Sequence, residues 1–328
     1  MVREIIERDI ATTRGRLHVR ATGEAAADAE AAEAGTPIVF VHGNCSSSAF
    51  FDRMIAALPD DVTGLALDLR GFGDTEPLSI DATRRMRDFA DDLLALLDAE
   101  GIECPPFVAH PAGAGVVMQF AIDHPERVGP MVLEAPMSPY GFGGTKDVDG
   151  NPCWPDFAGS GGGTANPDFI AGIEAADRST DDPASPRNVV RAFYVAPGYD
   201  QDDEEALLDS LLTTSIGDAR YPGPATPSDH WPNTAPGTTG MNNAISPAYF
   251  DVSAFAEVDP SPRVWWIRGS EDLIVSDTSM LDLGLLGALG AVPGWPGDDV
   301  GHSPLLEAHD RVLGLLLEAV SDGTPNGT

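Results

Sequence analysis

Two short segments of alternating polarity, Glu4–Thr12 and Gly15–Thr22, meet at a tight Arg14-Gly15 turn and predict an antiparallel hairpin. An alanine and acid tract at Ala25–Ala34 lacks an apolar face and predicts an exposed link. A repeating pattern then begins. Pro37–His42 (PIVFVH) is a short apolar run, Ala49–Leu58 suits a helix, and Gly64–Leu69 (GLALDL) predicts the next strand. Over Ala82–Glu100 the apolar residues Met86, Phe89, Leu93 and Leu97 recur at helical spacing. Pro106–His110, Gly113–His124 and Pro130–Ala135 continue as strand, helix and strand. Alternation of this kind predicts an α/β fold: a mostly parallel central sheet with helices on both faces.

The alternation stops near Pro136. Gly, Pro and Asp dominate Ser138–Asn166 and again Tyr221–Gly240, with helical stretches at Asn188–Ala196 and Glu204–Ser215 between them. A buried strand is expected to resume at Arg263–Arg268 (RVWWIR). The intervening segment is too long for a loop. We therefore divide the chain into a core, residues 1–138 plus 251–328, and an inserted cap, residues 139–250.

Composition narrows the partners. The net charge is −33, with 52 acidic against 19 basic residues, and Lys146 is the only lysine. A field of that sign excludes nucleic acid and anionic lipid. The acidity is spread along the chain, and such a surface suits high salt, where the Debye length falls to about 3 Å and self-repulsion is screened. No apolar run is long enough for a membrane span, and Met1–Arg20 has no signal-peptide core. Cys45, Cys104 and Cys153 are too few and too scattered for a disulfide framework or a zinc site, which favours a reducing cytoplasm. Asp147–Asn151 has the acid spacing of a calcium loop, but Pro152 stands where its glycine belongs, so a turn is expected and no metal. Oligomeric state leaves no signal in the sequence.

Five pieces occur in a telling order: PIVFVHGN (Pro37–Asn44), DLRGFGD (Asp68–Asp74), VAHPAGAGVVMQF (Val108–Phe120) with DHPERV (Asp123–Val128), GSEDLIV (Gly269–Val275) and GHSPLLE (Gly301–Glu307). Together they resemble the α/β-hydrolase fold family over the chain outside the cap. The resemblance implies a nucleophile on a strained G-x-S-x-G elbow, two backbone N–H groups facing the oxyanion, and an acid that orients a histidine base. It places the acid at Asp272, the base at His302 and the oxyanion N–H groups at Asn44 and Ala112, with no cofactor. The nucleophile position falls on Pro111, and the leading elbow glycine is Ala109.

Proline has no hydroxyl, no N–H and a φ fixed near about −65°. Acyl-enzyme chemistry at Pro111 is therefore excluded, and so is the family's dehalogenase and epoxide-hydrolase route, which needs Asp there. Val292–Val300 also lacks the apolar strand that normally precedes the histidine. A displaced nucleophile at Cys45 or Ser46–Ser48 is the lesser alternative, since serines there suit a helix N-cap. Trp154, Phe157, Phe193, Tyr194 and Trp231 are expected on the cap face above the sheet, bounding a pocket for a small apolar molecule. Two functions stay open: a hydrolase of small apolar esters or lactones driven by a His302–Asp272 dyad alone, or a non-catalytic descendant that binds a ligand or partner.

Overall fold

The computed structural model describes residues 3–22, 36–196, 203–297, 300, 303–304 and 308. The hairpin forms from β1 (Ile5–Thr12) and β2 (Gly15–Thr22), and Gly15 at the turn has φ +133°, a conformation that favours glycine. The first crossing runs through β3 (Ile38–Val41), α1 (Asp52–Ala56) and β4 (Gly64–Leu67). Then come α2 (Arg87–Glu100), β5 (Phe107–Ala109), α3 (Pro111–Asp123) and β6 (Met131–Glu134). The predicted link at Ala25–Ala34 lies outside the described residues.

Residues 139–250 run between β6 and the last strand of the sheet. They carry α4 (Pro167–Glu174), α5 (Pro186–Val189), a π-turn at Val190–Tyr194 and α6 (Glu204–Leu212). Two small ribbons follow, β7 (Ile216–Gly217) with β8 (Tyr221–Pro222) and β9 (Ala225–Pro227) with β10 (Thr234–Pro236), then α7 (Met241–Ala244). Helix α4 was not anticipated, although its start is plain: Asn166 accepts the Asp168 N–H, and Pro167 takes the first helical position. β11 (Val264–Ile267) and α8 (Leu283–Ala288) complete the described elements.

The sheet order is β1-β2-β4-β3-β5-β6-β11, with β4, β3, β5, β6 and β11 parallel and the hairpin antiparallel at one end. Between β3 and β5 the order reverses direction. At such a point the loops leaving two neighbouring strands diverge and open a crevice at their C-terminal ends. Helix α3 behind it is apolar and buried from Ala112 to Ala121, as a central helix must be. Gly113 makes the fit: a Cβ there would lie 2.2 Å from the Val41 carbonyl oxygen. Helix α2 packs Phe89, Leu93, Leu96 and Leu97 inward and ends at Gly101 in the left-handed region. On its other side Asp92 receives Arg70 through two bonds of 2.6 Å, both residues being buried.

One strand departs from expectation. Arg263–Arg268 is not a buried strand: only β6 borders β11 among the described residues, and Trp265 and Ile267 are 48% and 53% exposed. Arginines cover part of this edge, Arg263 over Trp265 and Arg268 over Trp266. No strand follows α8 among the described residues up to Val300.

Candidate functional site

The crevice at the strand reversal is framed by the loops after β3, β4 and β5. His42 sets the first of these. It is fully buried, with Nδ1 2.7 Å from the Gly43 carbonyl, and its Nε2 accepts the Leu69 N–H at 2.9 Å. The proton therefore sits on Nδ1, and burial lowers the pKa against the opposing pull of Asp68. Asp68 holds the loops together, its Oδ1 accepting the Ser48 N–H at 2.7 Å and its Oδ2 the Asp74 N–H at 2.9 Å.

Pro111 occupies the first position of α3, preceded by His110 in extended backbone (φ −98°, ψ 153°). Among the described residues, the left-handed non-glycine positions are Cys45, Arg85, Ala135, Phe157, Ala176 and Asn233, with none between Ala109 and Gly113. This is an ordinary strand-to-helix junction, for which proline is well suited. Ala112 is buried directly behind it, its N–H in the first turn where no intrahelical acceptor exists. The His110 Nδ1 is buried without a hydrogen-bond partner, and burial, reinforced by His42, pushes the imidazole pKa down to about 4.

Across the crevice, Asn44 is tied to the long excursion rather than left open. Its carbonyl accepts the Tyr194 hydroxyl at 3.2 Å, and its Nδ2 donates to the Asn242 Oδ1 at 3.1 Å. Tyr194 packs edge-on to Phe50 at 5.8 Å, and Phe50 lies 6.4 Å from the His110 ring. An aromatic line therefore runs from the rebuilt junction to the excursion.

Cys45 and the three serines that follow it are buried. Burial pushes the Cys45 thiol up to about 12, against bonds from Tyr221 and Thr214 that lower it. Ser46 donates to the Gly43 carbonyl, and the Ser48 N–H donates to Asp68 while its hydroxyl is buried without a hydrogen-bond partner. The expected N-cap is also modified: Ser47 holds that position, but its hydroxyl crosses to Ser210 at 2.6 Å. Of the five aromatics expected over the sheet, Tyr194 reaches the crevice. Trp154 stacks on His230 instead (4.4 Å, 9°), and Trp231 donates to the Pro293 carbonyl against α8. Asp147 closes its own turn, accepting from Asp149, and from the Asn151 N–H and side-chain amide.

Asp272 follows β11 in a tight turn, half-buried, with Oδ1 accepting the Ile274 and Val275 N–H groups at 2.7 and 2.9 Å. His302 lies outside the described residues. Its neighbour Ser303 is fixed: the Ser303 N–H donates to Asp282 Oδ2 at 3.2 Å, and the Thr145 N–H donates to Ser303 Oγ at 3.0 Å. Asp282 is a buried acid that sequence reasoning missed. Its signal was its place as N-cap of α8, where it accepts the Leu285 N–H.

Residues 36–160 match the family model described as alpha/beta hydrolase fold. Among curated proteins, the chain is 34% identical over 106 residues to the dihydrolipoyllysine-residue acetyltransferase component of the acetoin cleaving system of Cupriavidus necator, covering 32% of this chain and 27% of that one. It is 30% identical over 129 residues to epoxide hydrolase B of Mycobacterium tuberculosis, 36% of each chain. The match thus spans about a third of these relatives' length. Among solved structures, a hydrolase from Pseudomonas aeruginosa aligns over 86% of each chain at 16% identity and TM-score 0.49. The matched segment and the seven-stranded, mostly parallel sheet described above have the α/β-hydrolase fold. No helix among the described residues is long and apolar enough to cross a membrane.

Proposed function

We propose that this chain is a non-catalytic member of its family that binds a small apolar molecule in the crevice between β3 and β5, beneath residues 139–250 acting as a cap. The observation that carries this reading is the junction at Pro111, which lacks both the hydroxyl and the positive-φ backbone that acyl transfer requires. The Tyr194 and Asn242 bonds to Asn44 support the placing of residues 139–250 over the crevice, because they tie that segment to the loop after β3. Relatives named as an epoxide hydrolase, a carbamate hydrolase and an alkyloxetanone decarboxylase support a small-molecule ligand. The retained turn at Asp272 favours one alternative, a His302–Asp272 dyad that activates water.

One assay separates the two. The acidity of the chain recommends molar salt as the medium. In it, short-chain aryl esters should give no turnover above background, and a fluorophosphonate probe should leave the protein unlabelled. Turnover that disappears in His302→Ala would install the dyad and remove the non-catalytic reading. Labelling of the parent would mean that a nucleophile lies elsewhere.

A further inference from the structure

A second cluster lies at the other side of the loop after β4. One nitrogen of the His18 ring and one carboxylate oxygen each from Asp68 and Asp74 lie within 4.8 Å of one another. The backbone fixes this meeting. β2 pairs with β1 on one side, setting His18 opposite Asp9, and with β4 on the other. The Asp68 N–H donates to the His18 carbonyl at 3.0 Å, and the Thr75 hydroxyl donates to the Asp68 carbonyl while accepting the His18 N–H. The loop closes so tightly that a Cβ at Gly73, which has φ +56°, would fall 1.9 Å from Asp68 Oδ2.

The imidazole is the informative group. It is more than nine-tenths buried, with a relative exposure of 7%. Its Nδ1 stands 3.0 Å from the Asp9 carboxylate, so Nδ1 carries the proton and Nε2 presents a lone pair. Nε2 is buried and has no hydrogen-bond partner. A buried polar atom without a partner is costly, and its ring shares a cluster with two carboxylates, the mixed nitrogen and oxygen set that divalent cations take. Asp68 keeps capacity for it, since each of its oxygens uses one acceptor site on a backbone N–H. Asp74 is exposed and adjustable, and it borders an open cleft with Asp9, Arg16 and His18 through which an ion and its waters can enter.

We propose that His18, Asp68 and Asp74 bind a divalent transition-metal ion, with Asp9 as the positioning residue behind the imidazole. A nitrogen with two carboxylates suits Zn²⁺, Co²⁺ or Mn²⁺ better than Mg²⁺, which prefers an all-oxygen shell. Tetrahedral Zn²⁺ holds its donors about 3.4 Å apart, so the closure required falls mainly on the exposed Asp74 arm. Arg16, 2.8 Å from Asp9, offsets the charge of the positioning acid and leaves the two ligating carboxylates to match the ion. Bound there, the ion staples the hairpin to the loop that also carries Asp68 and Leu69, the partners of the crevice. No metal is expected from the sequence, because these three residues are far apart along it and belong to no ligand motif.

The test uses the full chain, stripped with chelator and held in molar potassium chloride with excess Mg²⁺ to suppress loose binding to surface acids. Equilibrium dialysis against Zn²⁺ should give one saturable ion per chain, and Co²⁺ should show visible d–d bands. Asp74→Asn, an exposed change that leaves the fold intact, should weaken binding at least about 10-fold, and Asp9→Asn by about 10- to 100-fold. His18→Gln should abolish the cobalt bands. Absence of saturable binding by the parent, unchanged affinity in Asp74→Asn, or equal competition by Mg²⁺ would each overturn the proposal. None of these outcomes depends on whether the crevice binds a ligand.

Discussion

The loops after β3 and β4 and the turn after β5 face the same crevice but are built to different standards. In the first pair, both ring nitrogens of His42 and both carboxylate oxygens of Asp68 are engaged, and Arg70 lies buried on Asp92. In the turn after β5, the His110 Nδ1 is buried without a partner and Pro111 has no N–H to give. The difference teaches which part of the crevice also serves as scaffold. The His42–Leu69 and Asp68–Ser48 bonds join neighbouring loops whatever chemistry follows. Among the described residues, the side chains of the junction after β5 make no such cross-loop bond, and the junction carries no positive-φ residue.

The largest effect should come from the well-built side. Asp92→Ala leaves the Arg70 guanidinium buried without its two 2.6 Å bonds, and breaking such a pair costs about 3–5 kcal/mol. The loss should hardly vary with salt, because buried pairs are poorly screened. Arg178→Ala, which removes exposed bonds to Glu205 and Asp209, should cost within about 1 kcal/mol. Urea unfolding across a range of molar salt checks both. A Asp92→Ala cost as small and as salt-dependent as that of Arg178→Ala would erase the contrast between the regions.

The poorly satisfied side should reveal itself in pH. Burial holds the folded His110 pKa at about 4, against about 6.5 in the unfolded chain. Between those values the unfolded state binds the extra proton, so stability is full above about pH 6.5 and falls as pH drops toward 4. Allowing for the partial exposure of the residue, the loss should be about 2 kcal/mol. His110→Phe removes the titration and should flatten the corresponding part of the stability profile. The same slope in parent and variant would show that His110 is protonated without penalty, and the two sides of the crevice would then be equivalent.

What the sequence revealed follows from how local each signal is. The hairpin, α2 and the start of α3 are written in neighbouring residues: Gly15 at its turn, apolar spacing through Phe89 and Leu93, Pro111 at a first helical position. The departures depend on distant partners. Whether RVWWIR is buried is decided by what borders it, and only β6 does so among the described residues. Trp154 and Trp231 fit an apolar lid in composition, but His230 and the Pro293 carbonyl claim them. The His18–Asp68–Asp74 cluster needs three strands and a loop in register before it exists. At the site itself, the missing hydroxyl at 111 was legible; the Tyr194 bond to Asn44, 150 residues away, was not.

The smallest change in stability carries the sharpest test of the comparison. Pro111→Ser puts a hydroxyl at the first position of α3. Proline is favourable there and limits the unfolded chain, so the variant should lose less than about 1 kcal/mol. It should remain inert to esters and unlabelled by fluorophosphonate, because extended His110 leads directly into helical backbone and the serine oxygen would sit on an unstrained turn. If the variant instead becomes labelled, the flexed elbow is still the preferred shape of residues 109–113. Proline alone would then be suppressing it, and the turn after β5 would be as well kept as its neighbours.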